Sequence, residues 1–278
     1  MNSTRVSSFK YSADIIQYLN FNCVVFYDDL FHTGGTLNSA VPFPLTPSMH
    51  SLTSSDGETW IGTPNSVFDW TTGNVINDLA WGNNTWVAVG GTPASAAKAS
   101  FSSDDGVTWQ ETDTGITGSI LGIAYGAGKF LVVGQEGQIC YSTSISASSI
   151  SWTKVTNPNI PSNEEINDVT YSAELGMFVA VAHDNKAARS SDGINWTAIT
   201  MPFSSTGSLI CVGSGGGKLV IGGTENKAAY SSDGITWKQF ANSTAVFGTN
   251  AIHGIAYGNG KFIAVGTSGR MALWDGNE

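Results

Sequence analysis

The chain has 278 residues, of which 41% are hydrophobic, 11% aromatic and only 12% charged, and its formal net charge is −10. Binding to a phosphate backbone needs clustered lysines and arginines, and this sequence contains no basic run. No apolar stretch is long enough for a membrane-spanning helix, and the first residues lack the basic and apolar regions of a secretory signal. We therefore expect neither nucleic-acid binding nor membrane insertion.

The cysteines and histidines give no sign of a metal site. Cys23, Cys140 and Cys211 each lie in an apolar run, and three thiols cannot all pair within one chain. We predict buried free thiols. The histidines show no metal-ligand spacing with one another or with the cysteines, so we expect no metal and no cofactor.

The N-terminal part of the chain consists of short apolar runs without helical periodicity. The segment 28–48 is rich in proline, glycine and apolar residues and is too long for a plain connection between strands, so we predict a docking surface there. Strands are predicted, in chain order, at residues 4–11, 14–20, 22–29, 50–57 and 58–62.

From residue 63 to residue 276 the chain repeats one unit. Each copy opens with two apolar runs joined by a Gly/Asn turn, which is typical of a β-hairpin. Tryptophan recurs at positions 60, 109, 152, 196 and 237, and a spacing of about 40 to 50 residues is typical of propellers or solenoids. The five hairpins lie at residues 76–91, 120–135, 166–182, 209–223 and 252–266.

After each hairpin, a variable loop leads to a third strand, a tight turn and a fourth strand, as in "KAAYSSDGITWKQF" at 227–240. Four short antiparallel strands at this period make one blade of a β-propeller. We therefore predict an all-β propeller.

The tight turn between the third and fourth strands recurs in four good copies. Its aspartate can accept backbone amides across the turn, its glycine can take a positive φ, and its tryptophan can wedge between neighbouring sheets. We predict a structural role for the turn, not a ligand site. The residues are Ser54, Asp56, Gly57 and Trp60; Ser102, Asp104, Gly106 and Trp109; Ser190, Asp192, Gly193 and Trp196; and Ser231, Asp233, Gly234 and Trp237.

This turn resembles the Asp-box, or bacterial neuraminidase repeat, of sialidase-like β-propellers. The copy at 102–109 ("SSDDGVTW") has every fixed position of the pattern S-x-D-x-G-x-T-W, and three other copies match with a turn that is one residue shorter. A degenerate copy at 142–152 keeps only the serine and the tryptophan. Together with hairpins such as "GIAYGNGKFIAVG", the repeats are similar to those of bacteriophage tail proteins and bacterial surface propellers.

The repeats predict a single propeller domain over residues 1–278. We expect six blades, in which residues 12–62 form a degenerate first blade and residues 63–276 supply the five repeat units. Residues 4–11 are predicted to add a closing strand to the last blade, which would remove the free sheet edges. Five blades with an N-terminal appendage is the alternative.

Residues expected to bind a ligand lie opposite the repeated turns, at the other mouth of the channel. The polar side chains there could form a ring around the channel that holds a sugar or a cation. They could also line a hydrated channel without binding a ligand, and this second interpretation is favoured. Phe68, Trp70, Phe203 and Phe247 lie outside the strand pattern, where they could stack on carbohydrate, contact protein or pack between blades. The candidate ligand-binding residues are Trp70, Asp78, Asp168, His183, Asp184, Glu225, His253 and Arg270.

Sialidase activity is not expected, although the fold resemblance suggests it. That family binds its substrate's carboxylate with three arginines and carries an Arg-Ile-Pro motif, whereas here Arg5 is followed by Val6 and Ser7. The other arginines are Arg189, next to a repeated turn, and Arg270. A different glycosidase, acting through Asp78 and Asp168, stays open as an alternative.

We therefore expect a non-catalytic binding or structural propeller. The resemblance to phage tail repeats suggests a virion tail or fibre component that contacts a host surface glycan or neighbouring virion subunits, with a homo-oligomer as one form. An assembly or scaffold protein is a further alternative. The virion is the expected location, and the cytoplasm is the alternative because no export signal is visible.

Overall fold

The structure is a computed structural model that describes residues 19–27, 29–37, 51–56, 60–63, 65–68, 74–92, 97–241 and 243–277. Its strands form six antiparallel sheets, or blades, which follow one another along the chain and make a six-bladed β-propeller. Within each blade the strands are hydrogen-bonded in sequence order. The prediction of an all-β, six-bladed propeller is confirmed.

The strand bounds are as follows. Blades 1 to 3 comprise β1 (Leu19–Tyr27), β2 (Leu30–Leu37), β3 (Ser51–Ser54) and β4 (Ile61–Thr63); β5 (Ile76–Gly82), β6 (Thr85–Gly90), β7 (Lys98–Ser102) and β8 (Gln110–Glu111); and β9 (Ile120–Gly126), β10 (Lys129–Gly134), β11 (Ile139–Ile145) and β12 (Ile150–Lys154). Blades 4 to 6 comprise β13 (Ile166–Ser172), β14 (Met177–Ala182), β15 (Ala187–Ser190) and β16 (Thr197–Ile199); β17 (Leu209–Gly215), β18 (Lys218–Gly223), β19 (Ala228–Ser231) and β20 (Lys238–Gln239); and β21 (Ile252–Gly258), β22 (Lys261–Gly266) and β23 (Arg270–Trp274).

In the part of the chain that the structure describes, three short helical turns interrupt this pattern. Helix α1 (Ser243–Phe247) lies between blades 5 and 6, and single 3-10 turns at Gln135–Gly137 and Thr267–Gly269 follow second strands. No helix in the described ranges is long and apolar enough to cross a membrane. The predicted closing strand at residues 4–11 lies outside the described residues.

For blade 1, the predicted positions of the first two strands were wrong, whereas β3 and β4 lie at the positions predicted for the third and fourth strands. Its first two strands are β1 and β2, so part of the segment 28–48 is a strand, and residues 38–48 lie outside the described residues. The Thr-Gly-Gly sequence of β2 has the composition of a loop, yet Gly34 is needed there. A Cβ on Gly34 would lie 2.5 Å from Ile76 Cγ2 of blade 2, so contact between blades requires the glycine.

The hydrophobic core lies between neighbouring blades. The second strands of blades 2 to 5 are largely buried, β6 along its whole length, because each of these blades packs against two others. The contact between blades 3 and 4, for example, includes Leu131, Phe178 and Trp196. The first strands of consecutive blades, from blade 1 to blade 6, lie side by side along the axis of the propeller.

Two rims result from this arrangement. The repeated turns lie on one, which we call the turn rim. The opposite rim, which we call the loop rim, carries the turns between second and third strands and the loops between blades. These two kinds of segment are hydrogen-bonded to each other: Asn185 N donates to Gly207 O (2.8 Å), and Asn226 N donates to Asn250 O (3.0 Å).

Candidate functional site

The repeated turn is a compact hydrogen-bonded unit, as the copy in blade 4 shows. Ser190 Oγ donates to Asp192 Oδ1 (2.9 Å) and accepts from Gly193 N (2.8 Å), whose φ is +74°. Asp192 Oδ1 also accepts from the backbone N–H groups of Ile194 and Asn195, each at 2.8 Å. These donors, the Asn195 N–H first, hold the pKa of Asp192 well below its ordinary value.

Other copies share this geometry where they are described. Ser102, Ser231 and Ser54 each donate to the aspartate two residues later, at 2.7, 2.9 and 3.0 Å. The N–H groups of Ile235 and Thr236 lower the pKa of Asp233 to about 2. For Asp104, burial raises the pKa, but the hydrogen bonds from Thr108 and Ser102 together outweigh it, so the pKa is lowered. Gly57, assigned to the first copy, lies outside the described residues.

The tryptophans of the turns in blades 2, 4 and 5 pack towards the preceding blade. Trp109, Trp196 and Trp237 are 8%, 5% and 7% exposed. Trp109 and Trp196 donate their indole N–H to the carbonyl of the turn glycine, at 3.0 and 3.2 Å. Trp60, in blade 1, is half-buried and its ring lies 6.1 Å from that of Phe31. In the described copies, the carboxylate therefore has its donors within the turn, and the ring fills the space between blades.

A β-bulge in the first strand of every blade determines what faces the axis. In each blade, the pairing register between the first and second strands shifts within the first strand. One residue of the first strand therefore has no opposite residue in the second strand. A bulge redirects side chains out of the regular alternation. The bulged residues are Asn22, Asn77, Leu121, Asn167, Ile210 and His253, and the residues that follow them are Cys23, Asp78, Gly122, Asp168, Cys211 and Gly254.

Asp78 and Asp168 use this position to connect two blades. Asp78 accepts from Leu79 N (2.8 Å) in its own blade and from Ile123 N (2.9 Å) in blade 3. Asp168 accepts from Val169 N (2.7 Å) and from Val212 N (2.8 Å) in blade 5. Each carboxyl group therefore satisfies a backbone donor on both sides of a blade junction.

Burial makes the ionised form of these two carboxyl groups unfavourable. It raises the pKa of Asp78 to about 7, against the two N–H donors, which lower it. It raises the pKa of Asp168 to about 8, and repulsion from Asp78 adds to the rise. The thiol pKa values of Cys23 and Cys211 are also raised, first by burial and then by Asp78 and Asp168 respectively.

The bulged asparagines extend these connections, which the sequence reasoning missed. Asn22 Nδ2 donates to Ile76 O (2.8 Å), Asn77 Nδ2 to Ile120 O (2.8 Å) and Asn167 Nδ2 to Leu209 O (2.7 Å), each across a junction. Aligning the six hairpins on their bulges would have revealed the repeated Asn at the same offset. The polar residues at the start of the first strands thus hold neighbouring blades together.

The loop-rim candidates lie in successive turns, and each described one has a local role. His183 Nε2 lies 3.6 Å from Glu165 Oε2, and Glu225 Oε2 pairs with Lys227 Nζ at 3.0 Å. His253 Nε2 lies 3.0 Å from Thr267 Oγ1, and Arg270 Nη1 donates to Val246 O at 2.6 Å. Asp184 is exposed, with a φ of +50°.

The structure therefore does not assemble the candidates into one site. Asp78 and Asp168 are close enough to influence each other's ionisation, whereas the rim residues are distributed over blades 4 to 6. Trp70 lies outside the described residues. Among the residues that the structure does describe, no group of three His, Cys, Asp or Glu side chains could hold a metal ion.

The rim aromatics that suggested carbohydrate binding pack between blades. Phe68 is fully buried against Ile76, Trp86 and neighbouring side chains, and Phe247 is 2% exposed in the contact between blades 5 and 6. Phe203 packs, partly buried, against the cluster between blades 4 and 5. Three interpretations were left open for these rings, and packing between blades is the one that describes Phe68, Phe203 and Phe247.

His32 of β2 is an unexpected feature of the junction between blades 1 and 2. It is fully buried, its ring stacks on Trp86 with centroids 3.8 Å apart, and neither ring nitrogen has a hydrogen-bond partner among the described residues. Burial lowers its pKa to about 4. A Cβ on Gly106 would lie 2.5 Å from His32, and one on Gly193 would lie 2.8 Å from Leu131. His32 thus occupies the place that Leu131 has two junctions further on.

We expect His32→Leu to reduce the acid sensitivity of the protein. Because the pKa of His32 is lower in the folded protein than in the unfolded chain, stability decreases as pH falls from about 6.5 towards 4. Leucine removes both this dependence and two unpaired nitrogens. Thermal denaturation at pH 5 and pH 7.5 should show a higher Tm for the variant at pH 5 and a smaller gain at pH 7.5. Equal shifts at both pH values would contradict the assignment.

Comparison with known proteins identifies the family. Residues 119–261, just over half of the chain, match the DUF6242 beta propeller domain. The chain belongs to this family. The matched region of the DUF6242 propeller runs from blade 3 to the first hairpin of blade 6. No curated protein matches the sequence.

Solved structures share the fold of this DUF6242 propeller at low sequence identity. YCF48 bound to D1 peptide has a TM-score of 0.60 and 16% identity, with 93% of this chain and 79% of that chain covered. YCF48 from Cyanidioschyzon merolae has a TM-score of 0.61 and 15% identity, covering 92% and 82%. The extracellular domain of the hybrid two-component system BT4673 from B. thetaiotaomicron has a TM-score of 0.64 and 13% identity, covering 97% and 33%. These similarities concern the fold.

Proposed function

We propose that this DUF6242 propeller is a non-catalytic module that binds a protein partner through its loop rim. The observation that carries the proposal is the use of the channel carboxyl groups: Asp78 and Asp168 are half-buried and accept backbone hydrogen bonds across blade junctions. These groups contribute to the architecture and are not directed at an open cleft.

A glycosidase needs a different arrangement. Two carboxyl groups must flank the scissile bond, separated by roughly 5 to 10 Å, with a sugar ring between them. Asp78 and Asp168 instead direct their oxygens at Ile123 N, Leu79 N, Val212 N and Val169 N. A substrate would have to displace these bonds and separate the blades. The arrangement favours binding over hydrolysis.

The packing of the rim aromatics favours a protein partner over a glycan. Carbohydrate sites use exposed aromatic faces, whereas Phe68 and Phe247 are buried and Phe203 packs between blades 4 and 5. The loop rim is also held by its own backbone hydrogen bonds, such as Asn226 N to Asn250 O, so it can present a preformed surface. YCF48, similar in fold, was solved bound to D1 peptide, which is an analogy at the level of the fold.

The setting that we propose is a virion tail or fibre, in which the partner is another virion subunit. Its basis is the resemblance of the repeated turn and hairpins to phage tail repeats, together with a surface that carries few charges. A host surface glycan as the ligand, or a cytoplasmic scaffold, would each give a different result in the experiment below.

We expect the purified protein to turn over no sialoside or other glycoside and to give a flat glycan array. Co-production with neighbouring virion subunits should yield a complex that is weakened by Asp184→Lys combined with Lys186→Glu, both exposed on the loop rim. The matched control is Asp105→Lys on the turn rim, which should leave the complex intact. Glycoside turnover that Asp168→Asn abolishes, or glycan binding that the loop-rim variant abolishes, would overturn the proposal.

A further inference from the structure

The last blade is less covered than the others. The second strand of each blade has an equivalent core position, which is fully buried in Ala88, Val132, Ala180 and Ile221. The third strand has another, fully buried in Ser100, Cys140, Ala188 and Ala229. In blade 6 the corresponding residues, Ala264 and Ala272, are partly exposed. In blades 2 to 5 other parts of the protein cover these two positions. The described residues include no equivalent cover for them in blade 6.

An apolar cavity lies at this place. It has a volume of about 460 Å³, lies between blades 5 and 6, and is lined by side chains that include Phe240, Val246, Ile255, Ala272 and Trp274. Beside it, the outer edge of β23 pairs with no described strand, whereas the third strands of blades 1 to 5 each pair with a fourth. The cavity and the free edge together have the shape of a strand-acceptor site.

The third strand of blade 6 is also built differently. Trp274 lies opposite Phe262 in β22, at the register position that Ser231 has opposite Leu219 in blade 5. Its ring lies 4.9 Å from the rings of both Tyr230 and Phe240. Blade 6 thus replaces the serine of the repeated turn with an aromatic ring, and it cannot form the serine-centred turn seen in blades 2, 4 and 5.

We propose that residues 4–11 of the same chain bind this acceptor site as the fourth strand of blade 6, with Phe9 in the cavity. Residues 8–11 (Ser-Phe-Lys-Tyr) match the pattern of residues 236–239 (Thr-Trp-Lys-Gln). In blade 5, Lys238 pairs with Tyr230 and Gln239 with Ala229, and Trp237 precedes them in the contact with blade 4. The same register places Lys10 opposite Leu273 and Phe9 between blades 5 and 6.

The length of the connection supports an occupant from the same chain. After Tyr11, residues 12–18 would lead to β1, the first strand of blade 1. Residues 112–119, which join β8 to β9, form the shortest connection between neighbouring blades, and the other connections are residues 64–75, 155–165, 200–208 and 240–251. Residues 12–18 are therefore close in length to the shortest of these loops. If a second copy of the chain supplied the strand, the length of residues 12–18 would not need to match that of a loop between blades.

A disulfide between two introduced cysteines tests this pairing in the full-length protein. Directly opposed residues of antiparallel strands lie within disulfide distance. We expect Lys10→Cys with Leu273→Cys to form an intrachain bond on mild oxidation, seen as a faster-migrating monomer on a non-reducing gel. The control pair, Lys10→Cys with Glu111→Cys on blade 2, should stay reduced. No bond, a bond only between chains, or equal bonding in the control would overturn the proposal.

Stability measurements provide a second readout. Phe9→Ala should lower the Tm by ~5 °C or more, because it empties the cavity, and Phe9→Leu should lower it less. Ser7→Ala, in the same segment, is the control and should have little effect. If Phe9→Ala and Ser7→Ala behave alike, the cavity is not the site of Phe9. Both tests are independent of the proposed partner, so they can fail while the loop-rim proposal holds.

Discussion

Replacing Trp196 with alanine is expected to lower the free energy of unfolding by ~3–5 kcal/mol. The side chain is 5% exposed and packs in the cluster between blades 3 and 4, beside Leu131 and Phe178. Its indole N–H also donates to Gly193 O. The variant therefore loses a large apolar contact, leaves a cavity and leaves a carbonyl without its partner.

Chemical denaturation followed by circular dichroism measures this effect. Ile194→Ala is the matched control, since this residue belongs to the same turn but is exposed, and its effect should be within ~0.5 kcal/mol. Trp152→Ala should fall between the two, because the tryptophan of the degenerate turn is only half-buried and donates to Thr112 Oγ1. Equal losses for Trp196 and Ile194 would show that the wedge contributes little.

Stability should decrease as pH rises from about 6.5 to 8, with a slope of up to ~1.4 kcal/mol per pH unit for each of the two channel carboxyl groups. The pKa of Asp78 is about 7 and that of Asp168 about 8 in the folded protein, whereas both groups ionise near pH 4 in the unfolded chain. Over this range the folded state retains protons that the unfolded state has lost, so rising pH favours unfolding.

Asp168→Asn should remove more than half of this slope, because Asp168 has the higher pKa of the two groups and retains its proton over more of the range. The amide keeps one acceptor oxygen, so either Val212 N or Val169 N loses its partner, and overall stability should also be lower. Cys23 and Cys211 face the same region, and limiting the range to pH 8 keeps their ionisation out of the measurement. Asp105→Asn, on the exposed turn rim, is the control and should leave the slope unchanged.

A flat stability profile between pH 6.5 and 8 in the unmodified protein would contradict the burial of these carboxyl groups. A steep profile that Asp168→Asn leaves unaltered would assign the titration to other residues. Thermal denaturation in a series of buffers at constant ionic strength is sufficient to distinguish these outcomes.

The sequence alone predicted the repeating parts of the fold, because each repeat carries the chemistry that determines its own shape. Five hairpins with Gly/Asn turns and the Ser-Asp-Gly-Trp pattern at 190–196 were enough to predict blades, and the sixth blade was inferred from the apolar runs of the N-terminal part. Blade 1 was harder, because β2 contains Gly34, and the reason for that glycine is Ile76 in another blade. Contacts between repeats leave no periodic signal within one repeat.

The candidate site, like the fold, was predicted only in part from the sequence. Asp78 and Asp168 were identified as unusual residues at the start of the first strands, but their partners, Ile123 N and Val212 N, are backbone groups of the next blade. Side-chain chemistry in a sequence does not reveal which backbone donor will lie opposite. The rings of Phe68 and Phe247 lay outside the strand pattern, yet tertiary packing buries them.

The residue after the bulge makes the blades non-interchangeable. Gly122 lies against Asp168, and a Cβ at that glycine would come within 3.1 Å of the Asp168 Cα, so an aspartate there fits beside a residue without a side chain. A tandem duplication of blade 2 or of blade 4 would put one half-buried aspartate next to another. Unequal recombination that copies either of these blades would therefore disrupt a matched pair of neighbours. Gain of such a blade in evolution would need a compensating substitution beside the bulge.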